Sequence, residues 1–98
     1  MDRQTVIRRL TSNKTRLQAL GLKRLSVFGS TARGDSRAQS DVDLAVVLDE
    51  DAGIDLFRFA AISEQVSRML DMPVDMVIEP ARNARMQAMI ERDRVRVF

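Results

Sequence analysis

Residues 41–48 read DVDLAVVL, and they constrain the fold more than any other stretch. Side chains on a strand alternate between faces. Val42, Leu44, Val46 and Leu48 therefore share one face, and Asp41, Asp43, Ala45 and Val47 take the other. Beyond residue 43 both faces are apolar, as in a central strand covered on both sides. Asp41 and Asp43 stand two apart, so both are expected to project from the same face at the head of that strand. Like charges this close repel, and one pKa rises unless something cationic sits between them.

The remaining pattern supplies the covering layers. Residues 4–20 read as one amphipathic helix, with Val6, Ile7, Leu10, Leu17 and Leu20 on a broad apolar face and Gly21 as its stop. RLSVF (24–28) reads as a short strand ended by Gly29, and STARG as a tight turn into a helical turn. DEDAG (49–53) reads as an acidic loop. Residues 55–70 form a second helix with Asp55 as N-cap and an apolar stripe of Leu56, Phe59, Ala60, Val66, Met69 and Leu70. MPVDMVIE (72–79) is a third strand, with Val74, Met76 and Ile78 on one face and Asp75 and Val77 on the other. Pro80 suits the first turn of a last helix over about 81–92, with Met86, Met89 and Ile90 facing in, and VRVF (95–98) a short terminal strand. The order α-β-α-β-α-β-α predicts an α/β (α+β) fold: a small mixed sheet flanked by helices, in one domain over residues 1–98.

Composition narrows the chemistry. The chain has no cysteine and no histidine, which excludes disulfides, thiolate zinc sites, His-based triads and most transition-metal sites. A metal would have to be held by oxygen, which points to magnesium or manganese. No apolar run approaches membrane-spanning length, so a cytoplasmic protein without a membrane partner is expected. The net charge of +2 is unevenly spread. Residues 1–40 hold nine basic side chains against two acidic ones, whereas residues 41–55 hold six acids and no base. Fourteen of the sixteen basic residues are arginine, whose planar fork suits phosphate.

Three features then converge. Asp41 and Asp43 make an incomplete hard-cation site, of the kind magnesium completes with water and substrate phosphates. Asp75 is a lone acid inside a later apolar strand, and if strands 41–48 and 73–78 are neighbours it reaches the same patch. Three such carboxylates can hold two ions for an in-line phosphoryl or nucleotidyl transfer. Gly29 permits positive φ and close approach of a phosphate, Ser30 offers a hydroxyl, and the next helical turn directs free N–H groups at an anion. Arg33 or Arg37 can add charge-assisted contacts.

Residues 27–48, VFGSTARGDSRAQSDVDLAVVL, resemble the signature of the minimal nucleotidyltransferases of the polymerase-β superfamily: Gly-Ser, ten residues, Asp-x-Asp. Here these are Gly29-Ser30, residues 31–40 and Asp41-Val42-Asp43. VDMVIE (74–79) is similar to the family's third-carboxylate strand, so the resemblance covers nearly the whole chain. The resemblance implies that Gly29 and Ser30 hold a nucleotide triphosphate, and Arg33 is the expected basic contact beside them. It implies that Asp41 and Asp43 bind two magnesium ions, and that Asp75 completes the second site and helps deprotonate the acceptor. Stand-alone members are typically antitoxins paired with a HEPN-domain toxin, and they resemble enzymes that move AMP from ATP onto a tyrosine of that toxin. The family's C-terminal segment often ends in Leu-Tyr or Val-Tyr, whereas this chain ends VRVF.

The size of the chain supports a protein partner separately. The expected catalytic core uses all 98 residues and leaves no second domain to bind an acceptor, so the acceptor is expected to bring its own binding surface. Rival readings are an antitoxin that acts by binding alone, a small-molecule transferase of the aminoglycoside-modifying kind, and a nucleic-acid binder using the basic first forty residues. An intact carboxylate set disfavours the first, the missing acceptor domain the second, and only four aromatic residues the third. Nucleic acid is thus not expected as a partner; a homo- or hetero-oligomer is left open.

Overall fold

The strand over Val42–Leu48 occupies an inner position of a four-stranded sheet in the computed structural model, which describes residues 2–35 and 41–98. Arg37, considered above for phosphate contact, lies outside the described residues. The elements are α1 (Arg3–Ser12), α2 (Lys14–Leu20), β1 (Leu22–Phe28), α3 (Gly29–Arg33), β2 (Val42–Leu48), α4 (Leu56–Leu70), β3 (Val74–Ile78), α5 (Ala84–Asp93) and β4 (Val95–Arg96). A 3₁₀ turn over Glu50–Ala52 joins β2 to α4. The sheet order is β3-β2-β1-β4. β1 pairs antiparallel with β2 and with β4, while β2 pairs parallel with β3 through the α4 crossover, so the sheet is mixed as expected.

Both faces of β2 are covered. On one side Val42, Leu44 and Val46 pack with Val6, Leu10 and Leu17 of the first two helices and with Ile62, Val66 and Leu70 of α4. On the other, Ala45 packs with Phe28 and Ile90, and Val77, Met86 and Met89 lie against them. Among the described residues α5 is the long helix on the face that carries Asp43 and Asp75, a geometry set by strand alternation.

Four expectations need correcting. The first helix is two helices, broken at Asn13. The Asn13 Nδ2 donates to the Arg9 carbonyl at 2.8 Å and the Ser12 hydroxyl to the Arg8 carbonyl at 2.8 Å, so polar side chains compete with the backbone ladder there. β1 begins at Leu22, two residues early, because Leu22 already pairs with Leu48. The last helix starts at Ala84 rather than 81, since Asn83 is its cap and accepts from the Arg85 and Met86 amides at 2.8 and 3.2 Å. In α4 the buried stripe is Ile62, Val66 and Leu70, whereas Leu56 and Ala60 are exposed. The caps at Gly21 (φ 113°) and Asp55, which accepts from the Arg58 amide at 2.8 Å, stand as read from the sequence.

An ion pair closes the sheet's far end. Arg94, between α5 and β4, donates to both Glu79 carboxylate oxygens at 2.7 Å and to the Ser26 hydroxyl at 3.1 Å. The Arg94 hydrogen bonds hold the Glu79 carboxyl below its ordinary value of 4.5, with help from Gln87. A depressed folded pKa means this contribution is complete above about pH 4.5 and disappears as pH falls through the folded value. Glu79→Gln is therefore expected to lose about 1 kcal/mol near neutral pH and to show a shallower fall in stability between about pH 5 and 3, measured by urea unfolding across pH. Equal pH profiles for the two proteins would refute the assignment.

Candidate active site

The geometry begins with three strands in register. Phe28 of β1 stands opposite Asp43 of β2, and Asp43 stands opposite Asp75 of β3. Asp43 and Asp75 are paired neighbours in the parallel ladder, so both carboxylates rise from the α5 face of the sheet. The next row down is Ser26, Ala45 and Val77, which the Ile90 layer covers. The carboxylates thus stand at the first position beyond the covered core.

Gly29 shapes the wall above them. Its φ of 72° lies in the left-handed region, and the chain turns there from β1 directly into α3. A β-carbon on Gly29 would collide with Oδ2 of Asp43. Glycine is therefore required twice, by the backbone angle and by the approach of the carboxylate. Ser30 follows in the first turn of α3, half-buried, while Thr31 behind it is buried.

Asp43 is half-buried and its pKa is raised above the ordinary 3.8. Burial is the chief cause, followed by the negative charges of Asp75 and then Asp41; Arg33 acts weakly the other way. Asp41 sits one residue before β2 and is exposed, yet its charge is felt at Asp43. The structure thus brings Asp43 and Asp75 together as register partners and sets Asp41 within electrostatic reach of them. Among the described residues no three acidic side chains close into a ready-made metal cage.

Every donor offered is a carboxylate oxygen, the class that hard divalent cations take, and the mutual repulsion at Asp43 is the kind such a cation removes. The absence of a side chain at Gly29 is what leaves room for the Asp43 carboxylate at this point. On these grounds the residues present fit magnesium.

Arg33 ends α3, and its guanidinium is engaged: Nη1 donates to Asp93 Oδ2 at 2.7 Å and Nε to Asp35 Oδ2 at 3.3 Å. Arg92 also donates to Asp93, whose side chain is almost wholly covered. Asp93 therefore ties the end of α3 to the end of α5. Sequence reasoning missed it, because a partner 60 residues away leaves no local signal.

Comparison with known proteins follows the same lines. A family model described as a nucleotidyltransferase domain matches residues 10–97. The protein adenylyltransferase MntA of Thermococcus cleftensis is 34% identical over 71 residues, covering 71% of this chain and 70% of that one. A solved structure of a minimal nucleotidyltransferase superposes with a TM-score of 0.80 at 32% identity, over 97% of this chain and 95% of that one. A complex of the tri-AMPylated HEPN toxin of Shewanella oneidensis with its MNT antitoxin matches with a TM-score of 0.65 at 19% identity, over 91% of this chain and 70% of that chain, which is a likeness of fold.

Because its folded pKa is raised, ionised Asp43 opposes folding: the penalty is absent below about 3.8, grows as pH rises through the folded value and persists at neutral pH. In metal-free buffer at neutral pH Asp43→Asn is expected to be more stable than wild type, as the direction of the shift requires. Added Mg²⁺ should raise the melting temperature of the wild type and leave Asp43→Asn unchanged, as calorimetry would record. A wild type indifferent to millimolar Mg²⁺ would count against the carboxylates as a cation site.

Proposed function

This chain belongs to the nucleotidyltransferase domain family, and from that membership we propose that it transfers AMP from ATP to a hydroxyl group, a tyrosine in the leading case, of a cognate HEPN-family toxin and so acts as its antitoxin. That the chain is a nucleotidyltransferase follows from the family. The observation that carries the finer reading is the register pairing of Asp43 with Asp75 beneath Gly29. The adenylyltransferase identity of the Thermococcus relative and the AMPylated toxin in the Shewanella complex support it.

In this reading the triphosphate lies against the Gly29–Ser30 turn. The missing side chain at 29 lets the phosphate chain approach the backbone, and the Ser30 hydroxyl donates to a phosphate oxygen. Arg33 adds positive charge at the far end of α3 while Asp93 fixes its direction. Asp41, Asp43 and Asp75 are the residues that would hold magnesium, which when bound would neutralise phosphate charge and lower the pKa of the acceptor hydroxyl. The acceptor oxygen forms a bond to the α-phosphorus in line with the leaving group. The bond from that phosphorus to the oxygen of pyrophosphate breaks, and pyrophosphate departs with the electron pair. The hydroxyl proton passes to a carboxylate oxygen of Asp75, which stands exposed on the edge strand beside Asp43.

Incubation with α-labelled ATP, Mg²⁺ and the cognate toxin tests this. Wild type is expected to label the toxin. Asp41→Ala, Asp43→Ala and Asp75→Ala should each lower the rate by at least ~100-fold, since each removes stabilisation needed only in the transition state. No label on the toxin from the wild type would overturn the transfer reading. Full neutralisation of the toxin by Asp43→Ala would replace it with an antitoxin that works by binding alone.

A further inference from the structure

Large apolar side chains are exposed at one end of this molecule. Leu56 is 78% exposed, Phe57 85% and Ile78 43%. Leu56 and Phe57 open α4, and Ile78 ends β3. Because α4 crosses back between two parallel strands, its first turn stands at the end where those strands finish, so all three residues belong to that end. The helical phase explains the exposure. Nine residues at 3.6 per turn put Phe57 about 180° from Val66, the middle of the buried stripe. Ala60 and Ala61 are also exposed, so the outward face of the first turns of α4 is apolar rather than charged.

The border of this patch is acidic. Asp49, Glu50, Asp51 and Asp55 lie in the loop leading into α4, all exposed. Among the described residues none of the four is in an ion pair. Two cations lie close by among the described residues: Arg58 donates to the Ala52 carbonyl at 2.9 Å, and Lys23 lines a surface recess with Asp49, so the acids outnumber the bases there by four to two.

That border selects the occupant. A second copy packed about a two-fold axis would set acid against acid. A second copy offering its basic α1 instead would set the exposed polar residues Arg3, Gln4, Arg8 and Thr11 against the apolar centre of the patch. Anionic lipid and nucleic acid are repelled by the same charges. An apolar recess on a protein, rimmed by arginine or lysine, matches both the apolar centre and the acidic edge.

We propose that the exposed start of α4, centred on Leu56 and Phe57, is the docking surface for the acceptor protein, which meets it with an apolar recess and a basic rim. The proposal rests on the reading above that the acceptor is a protein. The surface is remote from the chemistry. The fifteen residues of α4 span about 22 Å, and Asp43 and Asp75 lie near the opposite end of that helix. Docking here holds the acceptor without covering the nucleotide cleft, so it sets affinity for the acceptor and leaves the chemical step alone.

The test uses the full chain and the purified cognate toxin. Leu56→Ser with Phe57→Ser should raise Kd and KM for the toxin at least tenfold, with kcat at saturating toxin and affinity for ATP unchanged. Glu50→Lys with Asp51→Lys should raise Kd several-fold at low salt, and the difference from wild type should shrink as salt is added. All four positions are exposed, and circular dichroism confirms that the variants are folded. A toxin Kd within twofold of wild type for the Leu56/Phe57 variant overturns the proposal. So does loss of self-association with toxin binding retained, which would make the patch a contact between copies. Wild type that binds the toxin but does not label it would defeat the transfer reading, while the Kd comparison would still decide the surface.

Discussion

β2 is buried on both faces, and the rest of the structure follows from that. A strand with apolar residues on either side is stable only between two layers. The chain supplies α1, α2 and α4 on one side and α5 on the other. Charged side chains are excluded from such a strand except where the covering stops. Asp43 lies at that margin, with Ala45 two residues inside it already sealed by Phe28 and Ile90. The site is where the core ends, and its rigidity is that of the core.

Two kinds of pairing then build the site from distant parts of the chain. The antiparallel β1–β2 ladder puts Phe28 opposite Asp43, so the next residue, Gly29, turns directly over the carboxylate. The parallel β2–β3 ladder puts Asp75 beside it. Neither contact depends on a flexible side chain. A slip of one residue in either ladder would turn an aspartate to the opposite face, into the layer of Leu44, Val46 and Val66. The hydrophobic faces that make the slip costly are therefore also what holds the carboxylates together. The Asp93 bridge to Arg33 adds a further fixed point, joining the turn that carries Gly29 and Ser30 to the helix that covers their face.

Much of this was legible in the sequence because it is carried by period. The two-residue alternation of DVDLAVVL and VDMVI assigned Asp43 and Asp75 to a face correctly, and the parallel neighbour relation was the one added condition. Gly29 was legible as a turn, though its collision with Asp43 was not, since that contact depends on the ladder register. What escaped was of two kinds. Long-range polar contacts such as Arg33–Asp93 and Arg94–Glu79 leave no local pattern. Helix phase near an end is also weakly marked. Leu56 fitted an apolar stripe by type alone, while the true stripe runs through Ile62, Val66 and Leu70. Asn13 broke a helix whose apolar spacing continued through it, a case of side-chain hydrogen bonding overriding propensity.

The acidic segment over residues 41–55 makes sense once β2 is placed within it. Its six acids are not one cluster, because the apolar residues 44–48 of β2 divide them. Asp41 and Asp43 fall at the start of β2, and Asp49, Glu50, Asp51 and Asp55 after its end. The six residue steps from Asp43 to Asp49 span about 20 Å of extended chain, whereas the Debye length at physiological salt is about 8 Å. The two groups therefore scarcely feel one another. At the first, half-buried Asp43 stands against Asp75, and burial together with that neighbouring charge disfavours its ionised form. At the second, exposed acids carry little penalty and are free to shape an approaching surface. One run of charge in the sequence thus becomes two separate electrostatic environments, because the five residues between them, 44–48, are all apolar.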